Sequence, residues 1–212
     1  MNERSIRERL TAAVLEIFPS HDYHQVGMRG IAQRAGVGYA TLFRHYGSKE
    51  KLLFAVVQGW LDELAQTSAA ALQGVDEVPE KIRRLLATQL EFFGARPAVG
   101  RIVFMSLPSQ TWMADDSFRQ ARLARLFLEV IGQGQRGGML DRGVPPLMLL
   151  DLMWGVVARA FTMWVYRGKK GSLAAQSEAW FQLVWRGMAT AGARDAAERS
   201  AYKKVEGVFL DF

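Results

Sequence analysis

Apolar residues recur along this chain at spacings of three and four, the period of one helical face. Ile6, Leu10, Ala13, Val14, Ile17 and Phe18 form the first such face. Ser5 and Glu8 have the form of a capping box that would start this helix. Pro19, Ser20, His21 and Asp22 would end it. Two short helices are predicted next, over 28–35 and 39–46, with Gly36-Val37-Gly38 as a tight turn between them. Gly47-Ser48 breaks the chain again, and Ser48 is placed to cap a long helix reaching about Leu72. Leu53, Val56, Val57, Trp60, Leu61 and Leu64 line its apolar face. Beyond Gly74 the pattern predicts helices over 79–93, 98–106, 117–136, 145–167 and 172–191. Proline suits the first position of helices starting at Pro79 and Pro145. Pro97, Pro108, Gly137-Gly138 and the glycines at 168 and 171 mark breaks. No segment alternates with period two, so the expected fold class is all-α. No repeat of 20–50 residues is visible.

Composition narrows the function classes. The chain has 212 residues, 50% hydrophobic and 23% charged, which is ordinary for a globular protein. It has no cysteine, which excludes disulfides, thiolate metal sites and a cysteine nucleophile. Three histidines leave little for an all-histidine metal site. The formal net charge is +6, a mild basic excess that favours an anionic partner. Residues 1–51 hold eight Lys/Arg and five Asp/Glu, so half of the net charge lies in about a quarter of the chain. The opening MNERSIRERL lacks the apolar core of a secretory signal. The most apolar stretch, Val144 to Val165, is interrupted by Pro145, Pro146, Asp151 and Arg159, whereas a membrane span needs about 20 largely uninterrupted apolar residues. The expectation is a cytoplasmic protein with no membrane partner.

The stretch 31–46 reads as a helix-turn-helix. Ala32 and Ala35 are small enough for a second helix to cross closely. Gly36 admits the positive φ that ends a helix within one residue, and Val37 fills the angle between the helices. Leu42 and Tyr46 are four apart and can face inward, leaving Tyr39, Ala40, Thr41, Arg44 and His45 outside. A short helix exposing these side chains suits the major groove of DNA. The rival reading is a helical pair that only packs, with Phe43 and Tyr46 in the core.

The run from Ile6 to Leu53 resembles the DNA-binding domain of TetR-type transcriptional regulators. The resemblance rests on Ile31-Ala32, Ala35-Gly36-Val37, Thr41-Leu42-Phe43, His45-Tyr46 and Ser48-Lys49-Glu50-Lys51-Leu52-Leu53. The rest of the chain matches such regulators only in length and helical pattern. The resemblance implies a DNA-binding domain over 1–51 and a helical ligand-binding and dimerisation domain over 52–212. It implies that Tyr39, Ala40 and Thr41 lie nearest the base edges, that Gly38 belongs to the same DNA-binding set, and that Arg29 reaches a base or phosphate. His45 and Lys49 would hold phosphates. Two departures stand out. Phe43 replaces a tyrosine whose hydroxyl would bond phosphate, and Gly27 and Gly38 stand where Ser or Thr caps are usual. Arg29, Arg44 and Lys49 are therefore expected to carry more of the affinity.

Residues 52–212 are rich in large apolar side chains, most of them expected in the core or a dimer interface. The resemblance implies a cavity for a hydrophobic effector, with Phe93, Phe104, Met105, Trp112, Met153 and Trp164 as lining candidates. Arg101 or Arg159 could meet a ligand carboxylate, although a structural pairing of Asp151 and Arg159 in the apolar eighth helix is favoured. The last two helices are apolar over much of their circumference, which requires burial or a partner. The expectation is a C2 homodimer using Val156, Ala160, Trp180, Val184 and Trp185.

Other motifs do not develop. Gly132-Gln133-Gly134-Gln135-Arg136-Gly137 matches a dinucleotide-binding fingerprint but follows a helix, so it reads as a fraying helix end. His21 and His24 lack a third metal ligand. No nucleophile, base and oxyanion site assembles, so neither an enzyme nor a resident cofactor or metal is expected. The sequence reading is a ligand-responsive DNA-binding regulator, a repressor on a palindromic operator released by a hydrophobic small molecule. The alternatives are an activator, or a helical binding protein without ligand-gated DNA binding.

Overall fold

The structure, a computed structural model, describes residues 3–18, 21, 23–106 and 121–195. Pro19, Ser20, Asp22, Pro108, Trp112 and the expected helix start at Ser117 lie outside them. The fold is all-α. Helix α1 (Glu3–Ile17) is followed by a 3-10 turn (Tyr23–Gln25), α2 (Met28–Ala35), α3 (Tyr39–Tyr46) and the long α4 (Lys49–Ala71). Then come α5 (Val78–Ala95), α6 (Pro97–Arg101) running into a π-helical turn (Ile102–Ser106), α7 (Ala121–Arg136), α8 (Pro146–Tyr166) and α9 (Ser177–Met188). Among the described residues the β pairing is one isolated antiparallel bridge, Leu140 with Ala189.

Three local expectations are corrected. Helix α1 starts at Glu3, so Ser5 lies inside it and is no cap; Glu3 and Arg4 are good helix formers that extend the first turn. Helix α9 stops at Met188 rather than reaching residue 191, because Ala189 turns extended. There Thr190 N–H donates to Met139 O at 2.9 Å and Asp141 N–H to Met188 O at 3.1 Å, tertiary bonds that override helical periodicity. The glycine-rich end of α7 is not frayed. Gly137, Met139 and Leu140 donate to Gln133 O and Gly134 O, and Gly134 packs on Leu140.

Helices α1–α3 pack with the first turns of α4 around Leu10, Val14, Phe18, Ile31, Leu42, Leu52 and Leu53, all fully buried. Gly36 supplies the sharp turn, with φ 61 and ψ 37, while Val37 N–H donates to Ala32 O at 2.9 Å. Arg9 of α1 donates to Gly36 O at 3.1 Å, tying the turn to the first helix. Ser48 caps α4 as expected, its Oγ accepting from Lys51 N–H at 3.2 Å.

A second tie sits between the first turn of α4 and the loop before α2. The Lys49 ammonium donates to Tyr23 O at 2.6 Å and Val26 O at 2.9 Å, and lies 3.7 Å from the Tyr23 ring centroid. The Tyr23 hydroxyl donates to Glu50. Burial, then the bond and charge of Glu50, push the Tyr23 hydroxyl well above the ordinary tyrosine range. Burial lowers the Lys49 ammonium, opposed by Glu50. For Glu50, burial acts upward, but hydrogen bonds from Tyr23, its own backbone and Ser48, with the Lys49 charge, hold the carboxyl below its usual range.

Beyond α4 the bundle closes around Leu85, Leu86, Phe93, Phe127, Met153, Phe161 and Phe181. Helix α8 is long and apolar enough by composition to cross a membrane. Here Leu149, Leu150, Met153, Val157, Ala160, Phe161, Trp164 and Val165 bury one face of it in the chain's own core. Asp151 and Arg159 lie on the opposite, exposed face, so each charge reaches solvent and neither is buried in the apolar helix. Helix α6 crosses α8 at Gly100, where an added Cβ would stand 2.4 Å from Phe161 Cζ.

The α6–α8 crossing and the Glu50 tie are each open to substitution. Gly100→Ala forces Phe161 to move; overpacking of this kind costs about 1–3 kcal/mol, or roughly 2–4 °C of Tm per kcal/mol at this chain length. Thermal unfolding by circular dichroism checks it, and an unchanged Tm refutes the close packing. The second concerns acid. Glu50 holds its proton less tightly folded than unfolded, so its contribution is complete above about pH 4.5 and fades as pH falls through the lower folded value. Glu50→Gln should therefore lower the urea midpoint at neutral pH and flatten its decline below pH 4.5 relative to the wild type.

Candidate nucleic-acid interface

Helix α3 is eight residues long and presents four rows of side chains spaced four apart. Leu42 and Tyr46 form the inward row, the first fully buried and the second half-buried against the core. Tyr39 with Phe43, Ala40 with Arg44, and Thr41 with His45 make the other three rows. Thr41 is half-buried and the remaining five side chains are exposed. Phe43 is 51% exposed and Tyr39 41%, so neither is a core residue.

The outer face is ordered. The Tyr39 and Phe43 rings stack with centroids 5.9 Å apart and an interplanar angle of 30°. The Arg29 guanidinium, from the first turn of α2, lies 5.4 Å from the Tyr39 centroid. Arg29, Arg44 and His45 form no ion pair among the described residues. From Gln25 to Ser48 the sequence has no Asp or Glu. Arg34 is the exception among the cations here, held by Glu16 of α1. Gly27 and Gly38 cap α2 and α3 with extended backbone and no side-chain bond. First-turn N–H groups left this way suit an anion at the helix start.

Of the nine residues expected at DNA, the structure leaves Arg29, Gly38, Tyr39, Ala40, Phe43, Arg44 and His45 exposed and Thr41 half-buried, and it brings Arg29, Tyr39 and Phe43 together. Lys49 differs. Its ammonium is turned to the carbonyls of Tyr23 and Val26, which takes two of its three N–H groups inside the chain. It braces the loop between α1 and α2 rather than standing outward as a phosphate donor. Sequence reasoning missed Tyr23 and Glu50, and only a Tyr followed 27 residues later by Glu could have hinted at them.

The effector candidates divide. Phe93 and Phe104 meet with ring centroids 4.7 Å apart, and Trp164 joins them through Phe161, which lies 6.1, 5.4 and 6.0 Å from the three. Phe161, fully buried at the centre, was not among the candidates. Met153 is fully buried, Met105 is exposed, and Arg101 is half-buried at the end of α6. Arg159 is exposed on the outer face of α8, away from this cluster's buried face. Trp112 lies outside the described residues.

The dimer candidates also divide. Val156 of α8 and Trp180 of α9 are half-buried, packed against the edge of this chain's core. Ala160, Val184 and Trp185 are 3%, 1% and 3% exposed, so their side chains belong to this chain's own core and are corrected on that ground. The apolar residues exposed on α8 and α9 are instead Leu147, Met148, Leu152, Tyr166 and Leu183. A helix apolar all round does not announce which side meets its own chain.

Comparison with known proteins agrees with this geometry. Residues 10–56 match the family model described as bacterial regulatory proteins, tetR family, and residues 57–187 match that of the YsiA-like protein, C-terminal region. Over 98 residues the chain is 32% identical to the HTH-type transcriptional activator FasR of Mycolicibacterium smegmatis; the match spans 46% of this chain and only 45% of FasR. It is 23% identical over 156 residues to the HTH-type transcriptional regulator UidR of Escherichia coli K12, covering 72% of this chain and 80% of UidR. The structure of FadR from Bacillus subtilis in complex with stearoyl-CoA shares the fold, with a TM-score of 0.74 over 85% of this chain and 98% of that one at 16% identity. With one model over the three-helix head and another over the helical body, the chain belongs to the tetR family of bacterial transcriptional regulators.

Proposed function

We propose that this chain is a repressor that binds a roughly palindromic operator as a C2 homodimer and releases it when a hydrophobic small molecule enters the helical body. The carrying observation is the bare outer side of α3: three rows of aromatic, small and cationic side chains, without an acidic residue on α2 or α3. Such a surface contributes nothing to the chain's own core and suits base edges flanked by phosphates.

The body supports an apolar effector. Phe93, Phe104, Phe161 and Trp164 offer broad ring faces. Among the described residues, Gln89 of α5 is buried with its amide nitrogen unpartnered, and the indole nitrogen of Trp154 on α8 is likewise without a partner. Buried donors of this kind are costly unless an acceptor arrives, and an acyl carbonyl is one. The stearoyl-CoA bound by FadR favours a long-chain acyl thioester. Effector binding must then differ in affinity between the DNA-bound and released conformations. A second reading, an activator on the same fold, is favoured by the activity of FasR.

Anisotropy of a labelled duplex from upstream of the coding region tests binding. Salt-sensitive, sequence-selective affinity is expected, and stearoyl-CoA, but not free coenzyme A, should release the DNA. Arg44→Ala should lower the salt slope by roughly one, whereas Lys49→Ala should leave the slope and lower the Tm. Absence of selective binding at low salt would favour a helical binding protein. The dimer is tested by Leu183→Glu and Leu152→Glu, which put a charge on the exposed apolar side of α8 and α9. Each should shift the mass from dimer to monomer by light scattering while helicity is kept; persistence of the dimer in both refutes this surface.

A further inference from the structure

Phe43 is an anomaly for a surface made to meet an anion. It is the most exposed of the aromatic residues on α2 and α3, it has no polar atom, and it shares its helix with the exposed Arg44 and His45. It cannot donate to phosphate or to a base edge. The major groove offers one apolar feature that distinguishes a base, the C5-methyl group of thymine. Phe43 is also preorganised for contact. Its ring is backed by Tyr39, and Tyr39 is covered in turn by the Arg29 guanidinium, so the three form a column across the outer side of α2 and α3. The cations on either side give this apolar plate complementary charge to the phosphates that would flank it.

We infer that Phe43 is a specificity-determining residue that reads a thymine methyl in each operator half-site, with Tyr39 and Arg29 as positioning residues that hold its ring. This rests on the operator-binding reading above. Cytosine at the same place presents an amino donor and no methyl, so it is rejected, whereas 5-methylcytosine carries the same methyl and recovers part of the contact. The discrimination comes from apolar contact and is therefore insensitive to salt, unlike the contribution of Arg44.

The test starts from duplexes enriched from a random pool by the full-length protein. Each thymine of the enriched half-site is then replaced singly by deoxyuridine, which removes only the methyl group, and Kd is read by anisotropy. At least one replacement per half-site should weaken binding about fourfold, the worth of one buried methyl group. Phe43→Ala should bind the thymine and deoxyuridine duplexes equally, with the salt slope unchanged. Phe43→Tyr, which keeps the ring, should retain the discrimination, and a melt of each variant checks that the head is folded. Deoxyuridine duplexes that all bind the wild type like their thymine parents would overturn the inference and leave operator binding intact. So would a Phe43→Ala variant that still discriminates. If no duplex is enriched, the operator reading and this inference fail together.

Discussion

Helix α3 has only one of its four rows available to the core. Two residues, Leu42 and Tyr46, attach an eight-residue helix to the rest of the chain. A helix that short is unstable by itself in water, so tertiary packing must hold it. The geometry around it serves that need. Ala32 and Ala35 let α2 approach closely, Gly36 turns the chain with φ 61, Val37 fills the corner, and Arg9 fixes the turn's carbonyl from α1. Because orientation is set by these inward groups, the exposed side chains of the other three rows contribute little to holding the helix in place. They can be chosen for what they meet, which is how a common scaffold carries different recognition surfaces.

The head was legible in the sequence because local stereochemistry dictates it. A glycine at a helix end, small residues at a crossing and a serine before a charged first turn have few alternative meanings, and α2, α3 and α4 fall where periodicity puts them. The bracing contacts of Lys49 are not legible in the sequence, because direction is a tertiary property. Nothing in Ser48-Lys49-Glu50 says that two carbonyls, at Tyr23 and Val26, wait within reach of the ammonium. The body was less legible for a related reason. Helix α8 is apolar on both sides, so periodicity could not tell Ala160, which faces the core, from Leu152, which does not. Phe161 became the aromatic centre only because Gly100 lets α6 come close, a coincidence of two residues 61 apart.

Among the described residues, two joints of different character link head and body. Helix α4 runs unbroken from Lys49 to Ala71, with its first turn bound to the head and its later turns packed on α5 and α7. The second joint is smaller. Ser106, at the end of the π-helical turn after α6, has its hydroxyl at 3.3 Å from Phe18 O and 3.2 Å from Arg101 O. Phe18 O belongs to the end of α1, where helix carbonyls lack intrahelical partners. A single hydroxyl proton cannot fully satisfy both carbonyls, so the head and α6 compete for it. The π-helical turn also carries Phe104, whose ring belongs to the cluster around Phe161. Five residues thus touch the aromatic centre of the body at one end and the first helix of the head at the other.

The charge of the head has to be read in the same positional way. A net +3 over residues 1–51 is modest, and on its own it argues weakly for a polyanionic partner. Its distribution is what matters. Arg34 is neutralised by Glu16, Arg9 is turned to Gly36 O, and Lys49 is turned to Tyr23 and Val26. These cations brace the fold. Arg29, Arg44 and His45 remain exposed on α2 and α3; of the acids flanking this stretch, Glu16 and Glu50 are engaged with Arg34 and Tyr23, and Asp22 lies outside the described residues. The stretch that carries α2 and α3, from Gln25 to Ser48, brings no negative charge of its own. A small overall excess becomes a one-signed surface exactly where the fold has left three rows of side chains unburied, and the coincidence of those two facts is stronger grounds for nucleic-acid recognition than either the charge or the motif taken separately.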